Sequence, residues 1–302
     1  MPSLHTHHSA SFVKLLLLGD AKAGKTSSLA SLVAAGYKLR ILDFDNLLDP
    51  FATRVRENSP HALDSVEFRS LRDRYKGSDR GMVIDGQPKA WTDSLKMLNQ
   101  WKYTDLESGE TINYGAPAFW GRDVILVIDS LSRWCDAAYN FHEAIATAAA
   151  GKNGPDGRMI YGNAQDDIEK QLASLTSPSF RTNVIVICHG VYQTNPDGTT
   201  KIFPQGVGQK LSPKIPQYFP NYIRITNRKG KRTMQLASDM MIDLANTLPE
   251  ALASKEFDPD NGLAEIFRSL IGPPGSGTTE EAKDQAQAQL SSTTRLQTLR
   301  KV

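Results

Sequence analysis

Short apolar runs recur along the chain and indicate buried strands. Two of them are apolar almost throughout, which is typical of strands that are covered on both faces of a sheet. These two runs lie at residues 124–128 and 183–188. Two further strands are predicted at residues 12–18 and 38–44.

Between these runs, apolar residues occur at helical spacing. In residues 90–101, Trp91, Leu95, Leu98 and Trp101 fall on one face of an amphipathic helix. Helices are also predicted at residues 25–35, 136–149 and 163–175. Strands that alternate with helices predict an α/β fold, with a mostly parallel sheet and helices on both of its faces.

Weaker patterns predict smaller elements. Turn residues and short apolar segments indicate strands at 66–71 and 82–84, a loop or hairpin at 103–121, a hairpin built from 222–226 and 233–237, and short helices at 240–253 and 261–270. From Ile271 onward the residues are mainly Gly, Pro, Ser, Thr, Gln and Ala, with few large apolar groups. The predicted organisation is therefore a flexible tail at 1–11, a core domain at 12–240, a small helical extension at 241–270 and a disordered or loosely helical tail at 271–302.

Composition narrows the class of protein. With 302 residues, 40% hydrophobic and 23% charged, the chain is long enough and apolar enough to bury a large core. No apolar stretch approaches the length that a membrane helix needs, so no membrane partner is expected. The two cysteines, Cys135 and Cys188, exclude a disulfide framework and indicate a reducing, cytoplasmic compartment.

The strongest motif follows the first predicted strand. Gly19-Asp20-Ala21-Lys22-Ala23-Gly24-Lys25-Thr26 fits the phosphate-loop pattern G-x-x-x-x-G-K-[ST] at every fixed position, between a strand and a helix. Backbone N–H groups of such a loop surround the phosphates of a nucleotide, while the lysine reaches the β- and γ-phosphates and the hydroxyl binds Mg²⁺. The predicted nucleotide ligands are Gly19, Asp20, Ala21, Lys22, Ala23, Gly24, Lys25, Thr26 and Ser27.

A second element fits the metal site of such proteins. The apolar run of residues 124–128 ends at Asp129, and a carboxylate at the end of a strand holds Mg²⁺ in phosphate-loop NTPases. Asp129 and Thr26 are therefore the predicted metal ligands, and ATP with Mg²⁺ the predicted cofactors. Ser130 rather than Glu follows Asp129, so the residue that activates water must come from elsewhere.

These motifs resemble those of RecA/KaiC-type ATPases, and most of all the phage-encoded RecA-like ATPases of recombination, which belong to a recombination-associated AAA group. The resemblance rests on the phosphate loop, the Asp129-Ser130 strand end, Trp120-Gly121 before it, the segment Asp43-Phe44-Asp45 and the strand end Cys188-His189-Gly190. It covers about residues 12–240. It implies a RecA-like ATPase core, a ring or filament of identical subunits with ATP at their interfaces, and, for a phage protein, the host cytoplasm.

The resemblance also implies two catalytic roles. The acidic residue that polarises the attacking water in RecA matches Asp45, with Asp43 as the alternative and a turn or capping role as the competing interpretation. His189 matches the polar group that senses the γ-phosphate, although a histidine at a strand end also satisfies backbone groups. Gln165 is a weaker candidate for coupling, and an exposed helix amide is the simpler interpretation.

One segment is far more basic than the chain as a whole, whose net charge is +2. From Gly198 to Ser238 there is no acidic residue but eight basic ones, so the rest of the chain carries a net charge of −6. Aromatic residues lie among these cations, and a cationic groove with stacking aromatics is typical of single-stranded nucleic-acid sites. The segment is open to three interpretations: contact with DNA, contact with the γ-phosphate of a neighbouring subunit, or a solvated hairpin whose aromatics are core. The candidate residues are Lys210, Lys214, Arg228, Lys229, Lys231 and Arg232.

The expected function is Mg²⁺-dependent ATP hydrolysis coupled to single-stranded DNA in recombination, annealing or replication. The lack of an N/T-K-x-D motif favours ATP over GTP. Two other classes stay open: an assembly or packaging ATPase that does not bind DNA, and a small-molecule kinase. Arginines available for the lid of such a kinase are Arg54, Arg56, Arg69, Arg72, Arg74 and Arg80.

Overall fold

The structure, a computed structural model, describes residues 11–79, 81–105, 108–150, 154–194 and 197–276. All but the last residue of the tail predicted at 1–11, and most of the tail predicted at 271–302, lie outside these residues. Among the described residues, no helix has the length and apolar character needed to cross a membrane.

Eight strands form a central sheet. They are β1 (Lys14–Gly19), β2 (Lys38–Asp43), β3 (Val66–Ser70), β8 (Gly121–Asp129), β9 (Thr182–Thr194), β10 (Thr200–Pro204), β11 (Asn221–Arg228) and β12 (Lys231–Gln235). Their order in the sheet is β12-β11-β1-β9-β8-β2-β3, with β10 paired to β9. All neighbours are parallel except the pairs β11–β12 and β9–β10, so the mostly parallel α/β sheet predicted from the sequence is confirmed. Two small hairpins stand apart, β4 (Tyr75–Ser78) with β5 (Gly81–Ile84) and β6 (Lys102–Thr104) with β7 (Thr111–Asn113).

Helices cover both faces of the sheet because successive residues of the buried strands point to opposite sides. The helices are α1 (Lys25–Ser28), α2 (Ala30–Ala34), α3 (Asp49–Asn58), α4 (Ala90–Asn99), α5 (Leu131–Ala149), α6 (Gly157–Thr176), α7 (Gly208–Leu211), α8 (Glu250–Ala253) and α9 (Gly262–Ile271). Leu15 and Leu17 of β1 join the core formed with α2, α3 and α9. Leu16 and Leu18 join the core formed with α4, α5 and α6.

Several predicted boundaries were wrong. Helix α5 begins at Leu131, five residues before the predicted start, because Leu131, Trp134, Cys135 and Ala138 bury one helical face. Helix α6 begins at Gly157 rather than at residue 163, where Asp156 caps it by accepting a 2.9 Å hydrogen bond from the N–H of Arg158. The helix predicted at 25–35 is two short helices with Leu29 between them.

Other elements were missed or misassigned. Helix α3 was not predicted, since its sequence is largely polar and buries only Phe51 and Val55. The strand predicted at 183–188 continues to Thr194 and pairs with β10, a strand that was not predicted. In the helix predicted at 240–253, only Glu250–Ala253 is helical. Helix α9 packs on α2 and the sheet, so the extension shares the core of the α/β fold.

Candidate functional site

The carboxyl ends of four adjacent parallel strands bring the predicted catalytic residues together. Gly19 at the end of β1 lies in register with His189 of β9, and Asp43 at the end of β2 lies in register with Asp129 of β8. Because parallel strands present their carboxyl ends at one edge of the sheet, residues far apart in sequence meet here.

The phosphate loop joins β1 to α1 with the geometry that its glycines require. Gly24 has φ +96°, a left-handed conformation that strains any other residue. Gly19 lies so close to β11 that an added Cβ would be 2.7 Å from the carbonyl oxygen of Ile225. The backbone conformation at Gly24 and the close packing at Gly19 therefore require glycine at both positions, whether or not a nucleotide is bound.

Lys25 folds back over this loop. Its Nζ donates hydrogen bonds to the carbonyl oxygens of Gly19 and Asp20, both at 2.9 Å. Burial lowers the pKa of Lys25, while the nearby carboxylates act in the opposite direction. The neighbouring residues of the loop differ in exposure: Ala23 is buried, Ser27 is half-buried, and Ala21 and Lys22 are exposed.

Thr26 and Asp129, the predicted metal ligands, are in direct contact. The Thr26 hydroxyl donates to Oδ2 of Asp129 at 2.7 Å. Burial raises the pKa of Asp129 to about 7, and the hydrogen bond from Thr26 acts against that shift. No group of three or more His, Cys, Asp or Glu within the described ranges is arranged as a metal cluster. One hydroxyl and one carboxylate suit a Mg²⁺ ion that takes its other ligands from phosphate and water.

Asp45 faces the same edge from the β2 side. Its Oδ1 accepts a 3.0 Å hydrogen bond from the Ser130 hydroxyl, and its Oδ2 lies 3.5 Å from Nε2 of His189. Arg133 of α5 approaches Oδ1 at 4.0 Å. Burial acts to raise the pKa of Asp45, but the hydrogen bonds from His189 and Ser130 outweigh it, so the pKa lies below its usual range. Asp45 is therefore ionised at neutral pH.

Asp43, the alternative to Asp45, has a structural environment. It is buried, and its Oδ1 accepts a 2.7 Å hydrogen bond from the backbone N–H of Asn46, which holds the turn after β2. Burial raises its pKa. The geometry thus favours Asp45 over Asp43 as the carboxylate directed at a phosphate group.

His189 links the lysine to Asp45. Its Nδ1 lies 3.3 Å from Nζ of Lys25, and its backbone N–H donates to the Ser132 hydroxyl. A protonated lysine can only donate, so Nδ1 accepts and the ring proton is on Nε2, which faces Asp45. Sequence reasoning missed Ser130, Ser132 and Arg133, and the signal available for them was their position directly after Asp129.

Gln165 has a structural role. Its side-chain amide donates to the carbonyl oxygen of Val207 at 2.9 Å and so joins α6 to the segment after β10. Its side-chain hydrogen bond is thus with Val207 and not with His189, the predicted γ-phosphate sensor.

The basic segment divides into paired and unpaired cations. Lys201, Lys214 and Arg232 form ion pairs with Asp243, Glu169 and Asp260, at 2.6, 2.7 and 2.8 Å. Arg224 is buried on β11, 3.8 Å from Asp20. In the part of the chain that the structure describes, the exposed cations of this segment without a carboxylate partner are Lys210, Arg228, Lys229 and Lys231.

Three of the four aromatics of this segment, Tyr218, Phe219 and Tyr222, pack in or against the core rather than forming an exposed stacking surface, and the fourth, Phe203, is half-buried on β10. Phe219 and Tyr222 are buried in the cluster beneath α5 and α6. Tyr218 is half-buried and donates to Glu169 at 3.1 Å. Of the three interpretations of the segment, the one that places its aromatics in the core is correct for these residues.

Arg232 does not lie with the other cations of the β11–β12 turn. It packs against the phosphate loop, and a Cβ on Gly24 would be 2.7 Å from its Nη1. It is thus a neighbour of the nucleotide site of its own chain, which sequence reasoning did not predict.

The fold and site agree with a comparison with known families. A family model described as an AAA domain, AAA_24, matches residues 11–244. No curated protein matches the chain. The matched residues include the phosphate loop, both predicted metal ligands, Asp45 and His189. The chain therefore belongs to the AAA_24 family of AAA domains, which have the character of nucleotide-binding ATPase domains.

Proposed function

We propose that this protein is a Mg²⁺-dependent ATPase whose hydrolysis is coupled to single-stranded DNA, as in the RecA-like ATPases of recombination. The observation that carries the proposal is the convergence of Lys25, Thr26, Asp129, Asp45 and His189 at one edge of the sheet. Each has a chemical group suited to one part of phosphoryl transfer to water.

In the proposed reaction, the residues of the chain position ATP and the attacking water. The Gly19–Thr26 loop surrounds the phosphates, and Lys25 moves from its carbonyl partners to the β- and γ-phosphates. Thr26 and Asp129 would hold Mg²⁺, which neutralises charge on the phosphates when it is bound. Asp45 accepts a proton from the water as its oxygen bonds to the γ-phosphorus, and ADP leaves.

His189 is suited to report the state of the γ-phosphate. In the structure its ring contacts Lys25 on one side and Asp45 on the other. A γ-phosphate that draws Lys25 away breaks one of these contacts, and His189 begins the part of β9 that extends into the β9–β10 hairpin. A local change at the phosphate is thereby passed to an element that projects from the sheet.

Support for DNA contact comes from the unpaired cations. Arg228, Lys229 and Lys231 lie together at the β11–β12 turn, exposed and without carboxylate partners in the described chain. Cations of this kind bind a phosphate backbone irrespective of its sequence. The same turn is also suited to reach the γ-phosphate of a neighbouring subunit in a ring or filament, and salt-sensitive DNA binding by the isolated subunit separates these two roles.

The hydrolysis step is tested by phosphate release from ATP with Mg²⁺ or with EDTA. Wild-type protein is expected to release phosphate only with Mg²⁺, and Lys25→Ala is expected to lose the activity. Lys96→Ala, which removes an exposed lysine of α4 outside the phosphate loop, is the matched control and should retain it. Equal rates for wild type and Lys25→Ala would contradict the proposal.

A further inference from the structure

A cavity of about 430 Å³ lies beside the phosphate loop and takes no part in the hydrolysis site. It opens between the β11–β12 turn and the segment that leads into α9. Its lining residues are Gly230, Lys231, Arg232, Thr233, Glu256, Phe257, Asp258 and Asp260. Its volume is in the range of small-molecule sites.

A bridge of ion pairs joins this cavity to the loop. Arg232 packs against Gly24 and donates to Oδ1 of Asp260 at 2.8 Å. The same carboxylate oxygen accepts a hydrogen bond from Arg54 of α3. Asp260 therefore holds two guanidinium groups, one of which forms the boundary between the phosphate loop and the cavity.

The strand order decides which end of a nucleotide faces this cavity. Asp45, Asp129 and His189 belong to β2, β8 and β9 or follow them directly, and these strands all lie on one side of β1. The γ-phosphate must point to that side, because the groups suited to activate water and hold the metal are there. The phosphates of a nucleotide form a linear chain, so its nucleoside end extends to the other side of β1. That side holds β11, β12 and the cavity.

We infer that the cavity binds the nucleoside, both base and ribose, of the bound nucleotide, and that Arg232 and Asp260 hold it there. This inference rests on the proposed function, since it names the nucleoside subsite of the same site. Ribose hydroxyls and base amino groups are donors, and Glu256 and Asp260 supply carboxylate acceptors. The planar guanidinium of Arg232 is suited to stack on a base.

The inference changes the role of one predicted residue. Arg232 was a candidate for DNA or for the phosphate of a neighbouring subunit, together with Arg228, Lys229 and Lys231. Its contact with Gly24 and its pairing with Asp260 assign it to the nucleotide of its own chain. The unpaired cations that remain for other partners are Lys210 and those at the exposed turn, Arg228, Lys229 and Lys231.

The location of the base is tested directly by photolabelling. The full-length wild-type protein is irradiated with 8-azidoadenosine triphosphate and Mg²⁺, digested, and the labelled peptides are identified by mass spectrometry. The expected result is label within residues 230–233 or 256–260 that excess ATP prevents. Label confined to other peptides, such as those around Phe44 and Arg133 on the opposite side of β1, would overturn the inference.

The roles of Arg232 and Asp260 are tested by comparing ATP with inorganic tripolyphosphate, which has the phosphates but no nucleoside. Arg232→Met and Asp260→Asn are each expected to weaken ATP binding at least tenfold, measured by calorimetry, and to change tripolyphosphate binding less than twofold. Lys201→Met is the control, because it breaks an exposed ion pair of the same kind with Asp243. Thermal unfolding of each variant checks that it is folded.

Two outcomes would overturn this part of the inference: unchanged ATP binding in both folded variants, or an equal loss of ATP and tripolyphosphate binding. The second outcome would mean that these residues act on the phosphates alone. Failure of the proposed function has a different signature, which is tripolyphosphate binding that survives Lys25→Ala.

Discussion

Asp45 is the residue that accepts the proton of the attacking water in the proposed hydrolysis step. Its carboxylate is held by Ser130 and faced by His189, and its lowered pKa keeps it ionised. Asp45→Asn keeps the shape but removes the proton acceptor, so turnover is expected to fall by about 10²–10⁴-fold while ATP still binds. Single-turnover phosphate release and calorimetry measure the two effects.

Asp243→Asn is a suitable control for that experiment, because it also neutralises a carboxylate but lies in an exposed ion pair with Lys201. A normal hydrolysis rate in Asp45→Asn would remove Asp45 from the mechanism. A rate that falls equally in both variants would show only that the overall charge of the molecule matters.

Lys14 predicts a pH dependence of stability. Its Nζ is buried and donates to the carbonyl oxygens of Phe180 and Thr182, both at 2.7 Å, and burial lowers its pKa from 10.5 to about 7. Between pH 7 and 10.5 the unfolded chain holds the proton and the folded chain does not. The free energy of unfolding therefore rises with pH in this window, by at most about 1.4 kcal/mol per pH unit.

Urea unfolding at about pH 7 and about pH 9, two points inside this window, measures the effect in the wild type and in Lys14→Met, which cannot titrate. The wild type is expected to gain stability relative to the variant as pH rises. Lys25 also has a lowered pKa, but it is present in both proteins and cancels in the comparison. Parallel pH profiles for the two proteins would refute the assignment.

For single residues, the sequence was most informative where the proposed function depends on residues that are adjacent in the chain. The phosphate loop is one continuous motif, and Asp129 ends an apolar run, so both could be found by local pattern. The partners of Asp45 could not be found in this way, since Ser130 is 85 residues away along the chain and His189 comes from another strand. Their contacts depend on strand order, which no local spacing encodes.

The β11–β12 turn is the element that best fits a nucleic-acid backbone. Three of its cations, Arg228, Lys229 and Lys231, are exposed and unpaired in the described chain, whereas Lys214 is held by Glu169. Each phosphate that a cation neutralises on a single strand contributes ~0.7 to the log–log dependence of affinity on salt. Replacing all three cations with Gln should therefore make this slope shallower by about 2. Fluorescence anisotropy at several salt concentrations measures the slope.

Lys214→Gln is the control for the triple variant, since its charge is already neutralised by a partner. The slope should be nearly unchanged in this control. If the triple variant keeps the wild-type slope, the turn does not contact DNA, and the alternative of a contact with a neighbouring subunit becomes the better explanation.

Elements were predictable where burial imposes a pattern. The strands β1, β8 and β9 are apolar because both of their faces are covered, so their positions could be found from the sequence. Helix α3 and strand β10 could not, because α3 buries few side chains and β10 exists through its antiparallel pairing with β9. Pairing is a tertiary property, and the local sequence pattern does not encode it.

For the whole molecule, the order of the strands is what makes a site out of dispersed residues. With β1 in the middle, the carboxylates and His189 lie to one side and the cavity with Arg232 to the other. In the binding mode that we propose, a nucleotide lies across β1 with its γ-phosphate on the side of Asp45 and its nucleoside on the side of Arg232. The sequence predicted the parallel sheet, but it did not predict on which side of β1 each group of residues lies.

The most direct test of the proposed function is the rate of ATP hydrolysis by the full-length protein, with and without single-stranded DNA, in the wild type and Lys25→Ala. We expect Mg²⁺-dependent hydrolysis by the wild type that single-stranded DNA accelerates, and no hydrolysis by Lys25→Ala in either condition. A wild-type rate that is the same with and without DNA would contradict the coupling, and a wild-type rate no higher than that of Lys25→Ala would contradict the ATPase assignment itself.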